Sequence, residues 1–151
     1  MRMSTKGRYG LRLMTELAGH YGEGPVPVET IARNQEISAK YIHLLALRLR
    51  AAGLVRSIRG PSGGYELAKD PAGITALDVV SALEGPSAPV DCVDNPEVCQ
   101  RSQNCVARDV WRDVASAVAG VLSSVTLSEL ARKQGAKGRR KAEKERGAWT
   151  S

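Results

Sequence analysis

All three cysteines of this 151-residue chain, Cys92, Cys99 and Cys105, lie in one stretch, CVDNPEVCQRSQNC, spaced C-x6-C-x5-C. An odd thiol count without the paired spacing of a disulfide framework points to metal binding or redox chemistry in a reducing compartment. Thiolates hold iron–sulfur clusters. Three of them with one weaker ligand leave one iron labile, which suits a sensor. Zinc also takes thiolates, but usually through C-x2-C pairs, and neither gap here is that short. Thiol sensing without any metal is the third chemistry open to such a stretch. Neither His20 nor His43 is close in sequence to the cysteines, and no phosphate loop or acid pair is visible. An enzyme is therefore not expected.

The elements that must position these thiols lie on both sides of them. Ser4 or Thr5 caps a predicted helix to about Tyr21, with Tyr9, Leu13, Met14, Leu17 and Tyr21 as its apolar stripe. A short helix from Val28 to Asn34 follows, turned inward on Val28, Ile31 and Ala32. After a tight connection Ser38 caps a third helix to about Ala52, whose inward face is Ile42, Leu45 and Leu49. Short helix, turn and longer Ser-capped helix make the helix-turn-helix pattern. Leu54–Arg59 alternates like a strand, Gly60-Pro61-Ser62-Gly63-Gly64 is a glycine turn, and Tyr65–Leu67 pairs back. A hairpin at this point is a wing.

The outward stripe of the third helix, Lys40, His43, Leu47 and Arg50, would meet phosphates and base edges in a major groove. Arg56 and Arg59 sit on the wing, with Lys69 at its exit, and an arginine at a hairpin tip suits the minor groove. The formal net charge of +6 agrees with an anionic partner. Thr75 caps a fourth helix with Leu77, Val80 and Leu83 inward, ended by Gly85-Pro86, and Ser87–Pro89 leads into the cysteines.

Beyond Cys105 a helix of ~27–30 Å is predicted from Val106 to Val125. Val106, Val110, Val114, Val118, Val121 and Val125 form its stripe, with Trp111 and Leu122 beside it. The preceding domain already has a core, so this stripe is expected to pack between two chains. A short Leu127–Leu130 helix capped by Thr126 follows. From Arg132 the stripe ends, and the basic segment is expected to be a disordered tail adding non-specific phosphate contacts, with no partner for Trp149. No apolar stretch is long enough to span a membrane and the start lacks a signal-peptide core, so a cytoplasmic protein is expected.

MRMSTKGRYGLRLM, EISAKYIHLLALRLRAAGLVRSIRGPSGGYELAKD, the three-cysteine loop, VWRDVASAV and TLSEL together resemble the Rrf-type (BadM/Rrf) winged-helix transcriptional regulators, over about residues 1–131. With its three cysteines the chain is similar to their IscR/NsrR/RirA-like iron–sulfur branch, whereas CymR-like members lack those cysteines. The resemblance implies a mainly α fold with a small β-hairpin. Residues 1–85 would form a winged helix-turn-helix domain, 86–105 a cluster-binding loop, 106–131 dimerisation helices and 132–151 the basic tail. It implies a homodimer on palindromic double-stranded operator DNA. It also implies a [2Fe-2S] or [4Fe-4S] cluster on Cys92, Cys99 and Cys105, although the first gap is one residue longer than in IscR. Ser38, Lys40, Tyr41, His43, Arg48, Arg50, Arg56, Arg59, Gly60 and Gly63 make up the combined DNA-binding set. IscR has a glutamate at the position of His43 and a glutamine at that of Leu44, so a different base preference is expected.

The fourth ligand departs from the family. Positions that carry a histidine or an aspartate ligand in relatives are Arg108 and Arg8 here, and a guanidinium has no lone pair to donate. Asp91, Asp94, Glu97, Asn104 and Asp109 are the candidates, Asp109 being nearest the last cysteine. A partner-chain acid or an exogenous molecule is a further possibility. The reading is thus a regulator whose operator affinity is controlled by a cluster that senses iron–sulfur status, redox or nitric oxide. The alternatives are a cluster-free thiol-sensing or cysteine-metabolism repressor of the same fold and, in a different class, a zinc-stapled dimeric interaction module.

Overall fold

The structure, a computed structural model of the chain, describes residues 3–85 and 88–148. Its elements are α1 (Thr5–Gly19), α2 (Val28–Gln35), α3 (Ala39–Ala51), β1 (Val55–Ile58), β2 (Gly64–Leu67), α4 (Ala76–Glu84), α5 (Asp91–Asp94), α6 (Val106–Ser123) and α7 (Leu127–Ala148). Pro86, Ser87 and Trp149 lie outside the described residues. The mainly helical architecture with one antiparallel hairpin is the one predicted.

Local chemistry sets the helix starts. The Ser4 hydroxyl accepts from the Lys6 N–H at 3.1 Å, and that of Ser38 from the Tyr41 N–H at 3.2 Å. Thr75 and Asp78 form a reciprocal capping box on α4. At the start of α1 the Glu84 carboxylate adds a cap from another helix. It accepts from the Ser4 hydroxyl and, at 2.9 Å, from the Gly7 N–H. An acceptor with negative charge suits the unpaired N–H groups of a helix N-terminus.

The core draws Leu13, Met14 and Leu17 from α1, Ile31 from α2 and Ile42, Leu45 and Leu49 from α3. Val55 and Leu67 of the hairpin, Val79 and Leu83 of α4 and Leu127 of α7 belong to it as well. Each such side chain contributes ~1.5–3 kcal/mol when fully buried. Gly10 lets α1 meet α4 closely, since a Cβ there would stand 1.9 Å from Leu83 Cδ1.

Three local expectations are corrected. Helix α1 ends at Gly19, and Tyr21, expected on its stripe, is exposed among turn residues that include Gly22 at φ 85°. On α4, Ala76 and Val79 are buried with Val80 and Leu83, whereas Leu77 is half-buried. Helix α6 stops at Ser123, because Val125 and Thr126 pair with the segment before α4. The Ala76 N–H donates to Val125 O at 2.8 Å and the Leu127 N–H to Ile74 O at 2.9 Å.

The largest difference concerns the basic segment. In place of a short helix and a disordered tail, α7 continues to Ala148. Its first turn is fixed by the Ile74–Ala76 pairing, by Thr126 accepting from the Glu129 N–H at 3.2 Å, and by the fully buried Leu127. With nucleation supplied by packing, propagation needs only good helix formers, and Ala, Lys, Arg, Gln and Glu abound here. Lys133–Glu129 and Lys141–Glu145 pairs add i,i+4 support. An apolar stripe reports burial, so its absence carried no information about this helix.

By contrast, α6 buries no residue within the chain. Val106, Val110 and Val121 are 81%, 57% and 65% exposed.

Candidate functional site

Two groups of residues carry the candidate chemistry: the α2–α3–wing face and the cysteine loop. Helix α2 ends at Gln35, and Glu36 takes the left-handed φ of 52° that turns the chain toward α3. Gln35 is buried and its carbonyl accepts from Arg12 Nη2, while its side-chain amide donates to Glu16 at 2.7 Å. This Arg12–Gln35–Glu16 network fixes the turn on α1. Sequence reading missed it, although Arg12 and Glu16 stand one helical turn apart.

On α3, Lys40, His43, Leu47, Arg48 and Arg50 are all exposed, as the outward stripe predicts, and so is the capping Ser38. Leu44 and Leu47, 46% and 57% exposed, make the face partly apolar, which suits contact with thymine methyl groups. Tyr41 is half-buried and packs edge-on to Tyr9 at 5.9 Å, so its ring braces α3 against α1. His43 Nδ1 lies 2.8 Å from the Tyr65 hydroxyl, which ties the outward face of α3 directly to the wing.

The wing is held to the body by a backbone bridge. The Val26 N–H donates to Tyr65 O at 2.8 Å and the Tyr65 N–H returns to Val26 O at 3.0 Å. Gly60, at φ 110°, and Gly63 close the tip, where Arg59 is exposed. Arg56, expected beside Arg59 as a DNA contact, forms a 2.9 Å ion pair with Glu66 on the opposite strand. The Arg56 side chain stays 61% exposed beside Glu66, so Arg56 and Arg59 both stand as candidates for a phosphate or minor-groove contact.

The cysteine segment is ordered by its own backbone rather than left open. Cys92 lies in α5, Cys99 follows a 3-10 turn at Pro96–Val98, and Cys105 follows another at Ser102–Asn104 and directly precedes α6. The Asn95 N–H donates to Asp91 O at 2.9 Å, that of Ser102 to Cys99 O at 3.0 Å and that of Asn104 to Arg101 O at 3.0 Å. All three thiols are unpaired and half-buried. Arg108 is not a ligand: its Nε donates to Cys92 O at 2.7 Å and ties the loop to α6. The carboxylate of Asp109 pairs with Arg112 at 3.0 Å, and Asp91, Asp94, Glu97 and Asn104 are exposed.

Among the described residues, no three His, Cys, Asp or Glu side chains converge as ligands of one metal ion. An iron–sulfur cluster spreads its thiolates over several irons, and three soft, unpaired thiols in one segment fit its donor chemistry. No helix of the described residues is long and apolar enough to cross a membrane.

A family model described as "Rrf2: Iron-dependent Transcriptional regulator" matches residues 3–133. The HTH-type transcriptional regulator CymR of Bacillus subtilis is 45% identical over 131 residues, covering 87% of this chain and 90% of the relative. IscR of Photorhabdus laumondii is 41% identical over 134 residues, covering 89% and 81%. The solved structure of T. potens IscR superposes with a TM-score of 0.72 at 37% identity, covering 89% of this chain and 88% of that one. Overall identity therefore joins the chain to CymR and IscR alike. The winged helix-turn-helix face, the family match and these relatives agree: the chain belongs to the Rrf2 family of DNA-binding transcriptional regulators, which are not enzymes.

Proposed function

We propose that the chain is a homodimeric regulator whose affinity for operator DNA is set by an iron–sulfur cluster on Cys92, Cys99 and Cys105. The observation that carries this reading is that three unpaired thiols occupy the one segment joining the winged domain to α6. When bound, a cluster supplies a centre responsive to iron supply, oxygen or nitric oxide. The rest is the work of the polypeptide. Arg108 clasps the loop to α6. The exposed valines of α6 offer an apolar seam to a second copy. Lys40, His43, Arg48, Arg50 and Arg59 face the groove and its phosphates. Dimeric readers need their two recognition helices at a fixed separation, so a change in the loop becomes a change in affinity. A tenfold change requires only ~1.4 kcal/mol.

A second reading has its own support. The similarity to CymR, described as the global cysteine regulator of B. subtilis, favours a cluster-free regulator of the same fold, sensing thiols or serving cysteine metabolism. One experiment separates the two: iron, sulfide and zinc per chain, with a visible spectrum, on anaerobically purified wild type and Cys99→Ser. The cluster reading expects iron with sulfide in the wild type. In Cys99→Ser it expects lost colour and altered operator affinity. A colourless wild type after anaerobic reconstitution refutes it. Operator affinity that then changes reversibly on thiol oxidation selects the second reading.

A further inference from the structure

The basic excess of this protein is concentrated in one helix. Residues 132–146 of α7 carry eight Lys and Arg against two Glu, a net +6 that equals the formal charge of the whole chain. The remaining residues balance at fourteen basic against fourteen acidic. The family match ends at residue 133, where this segment begins.

Its position is defined at the near end. Leu130 and Ala131 pack on the core, and α7 runs beside α1. Between them lies a groove of about 250 Å³, lined among others by Arg8, Arg12, Gln35, Lys133 and Lys137. Gln35 is the last residue of α2, so the groove borders the turn of the helix-turn-helix. Arg8 and Arg12 lie 5.7 and 5.3 Å from the ring of Tyr9, which itself packs on Tyr41 of α3. A cationic surface thus continues from the start of α3, across α1, to α7.

Two of the lysines have acidic partners. Glu129 lies 2.6 Å from Lys133, whose hydrogen bond and charge hold the Glu129 carboxyl below its ordinary range. Lys141 lies 3.9 Å from Glu145. Among the described residues, Lys137, Arg139, Arg140, Lys144 and Arg146 have no acidic group within ion-pair distance. At ~1.5 Å per residue, Lys133 to Arg146 spans ~20 Å, the length of about six base-pair steps.

We propose that α7 from Lys133 to Arg146 is a second DNA-contacting element, binding the phosphates that flank the half-site read by α3 and the wing. The inference rests on the DNA-reading face described above. The winged domain, residues 1–85, carries eleven Lys and Arg against eight Asp and Glu, a net charge of +3, and α7 adds twice that excess as phosphate-binding charge that does not read sequence.

The test is made in the full-length chain with Lys137, Arg140, Lys141 and Lys144 each changed to Gln, a substitution that keeps helix propensity. Affinity is measured against salt concentration on operator and on unrelated duplex, with Lys137→Gln alone as a milder variant. Each lost phosphate contact lowers the slope of log K against log salt by ~0.9. The fourfold variant is expected to lose ~2–3 units on both DNAs, together with backbone protection outside the half-sites. An unchanged slope and footprint overturn the proposal. Arg59→Ala and Lys40→Ala in the same assay locate the failure. If they weaken operator binding while the fourfold variant does not, only the role of α7 falls. If they too have no effect, the DNA-reading face itself is wrong.

Discussion

Gly64 determines how the wing is carried. A Cβ at this position would stand 2.0 Å from Val26 O, 2.5 Å from Val26 C and 2.9 Å from the Pro27 nitrogen. These are backbone atoms, so no rotamer change relieves the clash. Pro27 is moreover the residue on which α2 begins, and it cannot retreat without moving that helix. Gly64→Ala must therefore separate the Val26–Tyr65 bridge and lose its two hydrogen bonds, of 2.8 and 3.0 Å. At ~1 kcal/mol net for each bond this costs ~2 kcal/mol. The φ of 153° adds strain of ~1 kcal/mol for any residue with a side chain. The expected loss of stability is ~3 kcal/mol, which urea unfolding followed by far-ultraviolet circular dichroism will measure. Gly60→Ala is the control: its φ is 110° but nothing lies within 4 Å of the added carbon, so strain alone, ~1 kcal/mol, is expected. Displacing the wing also moves Arg59, proposed to meet the DNA, so Gly64→Ala is expected to weaken operator binding by ~10-fold or more. Equal stability losses in the two variants, or a Gly64→Ala loss below ~0.5 kcal/mol, would show that the bridge does not hold the wing.

Leu127 is fully buried in the core of the winged domain, so Leu127→Ala is expected to lower unfolding stability by ~2–5 kcal/mol. A loss below ~1 kcal/mol would mean that α7 is not docked there. Val110→Asp together with Val121→Asp puts charge on the exposed stripe of α6 and is expected to turn a dimer into a folded monomer by sedimentation. A retained dimer would assign the subunit interface to another surface.

The sequence was most legible where burial and turn chemistry act together. The inward residues Ile42, Leu45 and Leu49, the caps Ser38 and Thr75, and the glycine tip of the wing all stand as read. It was least legible where a partner comes from far along the chain. Glu84 caps α1 from 77 positions beyond Gly7, and the Ile74–Leu127 pairing that starts α7 joins residues 53 apart. Neither leaves a periodic signal. The Glu66 partner of Arg56 was hidden for a similar reason: charge on a wing is visible in sequence, but a cross-strand pair depends on register. Tyr65 and His43 likewise meet only because the hairpin folds back over α3.

Under the proposed function, the thiols would gain leverage over DNA through the loop that carries them. The loop from Asp91 to Asn104 is held chiefly by local backbone hydrogen bonds, and Ser102 is its one buried residue among those described. Bonds of this kind contribute ~1 kcal/mol each and are offset by the ordering of the residues that make them. The loop is therefore close to balance between ordered and loosened forms, with Arg108 as its principal tie to α6. The core around Leu13 and Leu45 is fully buried, and rearranging it costs several kilocalories per side chain, more than loosening a loop held by single backbone hydrogen bonds. A loop near balance responds readily, since a shift of ~1.4 kcal/mol changes its population tenfold. Under the proposed function, sparse burial around Cys92, Cys99 and Cys105 is the property that would let thiol chemistry reach the helix at which two copies would meet.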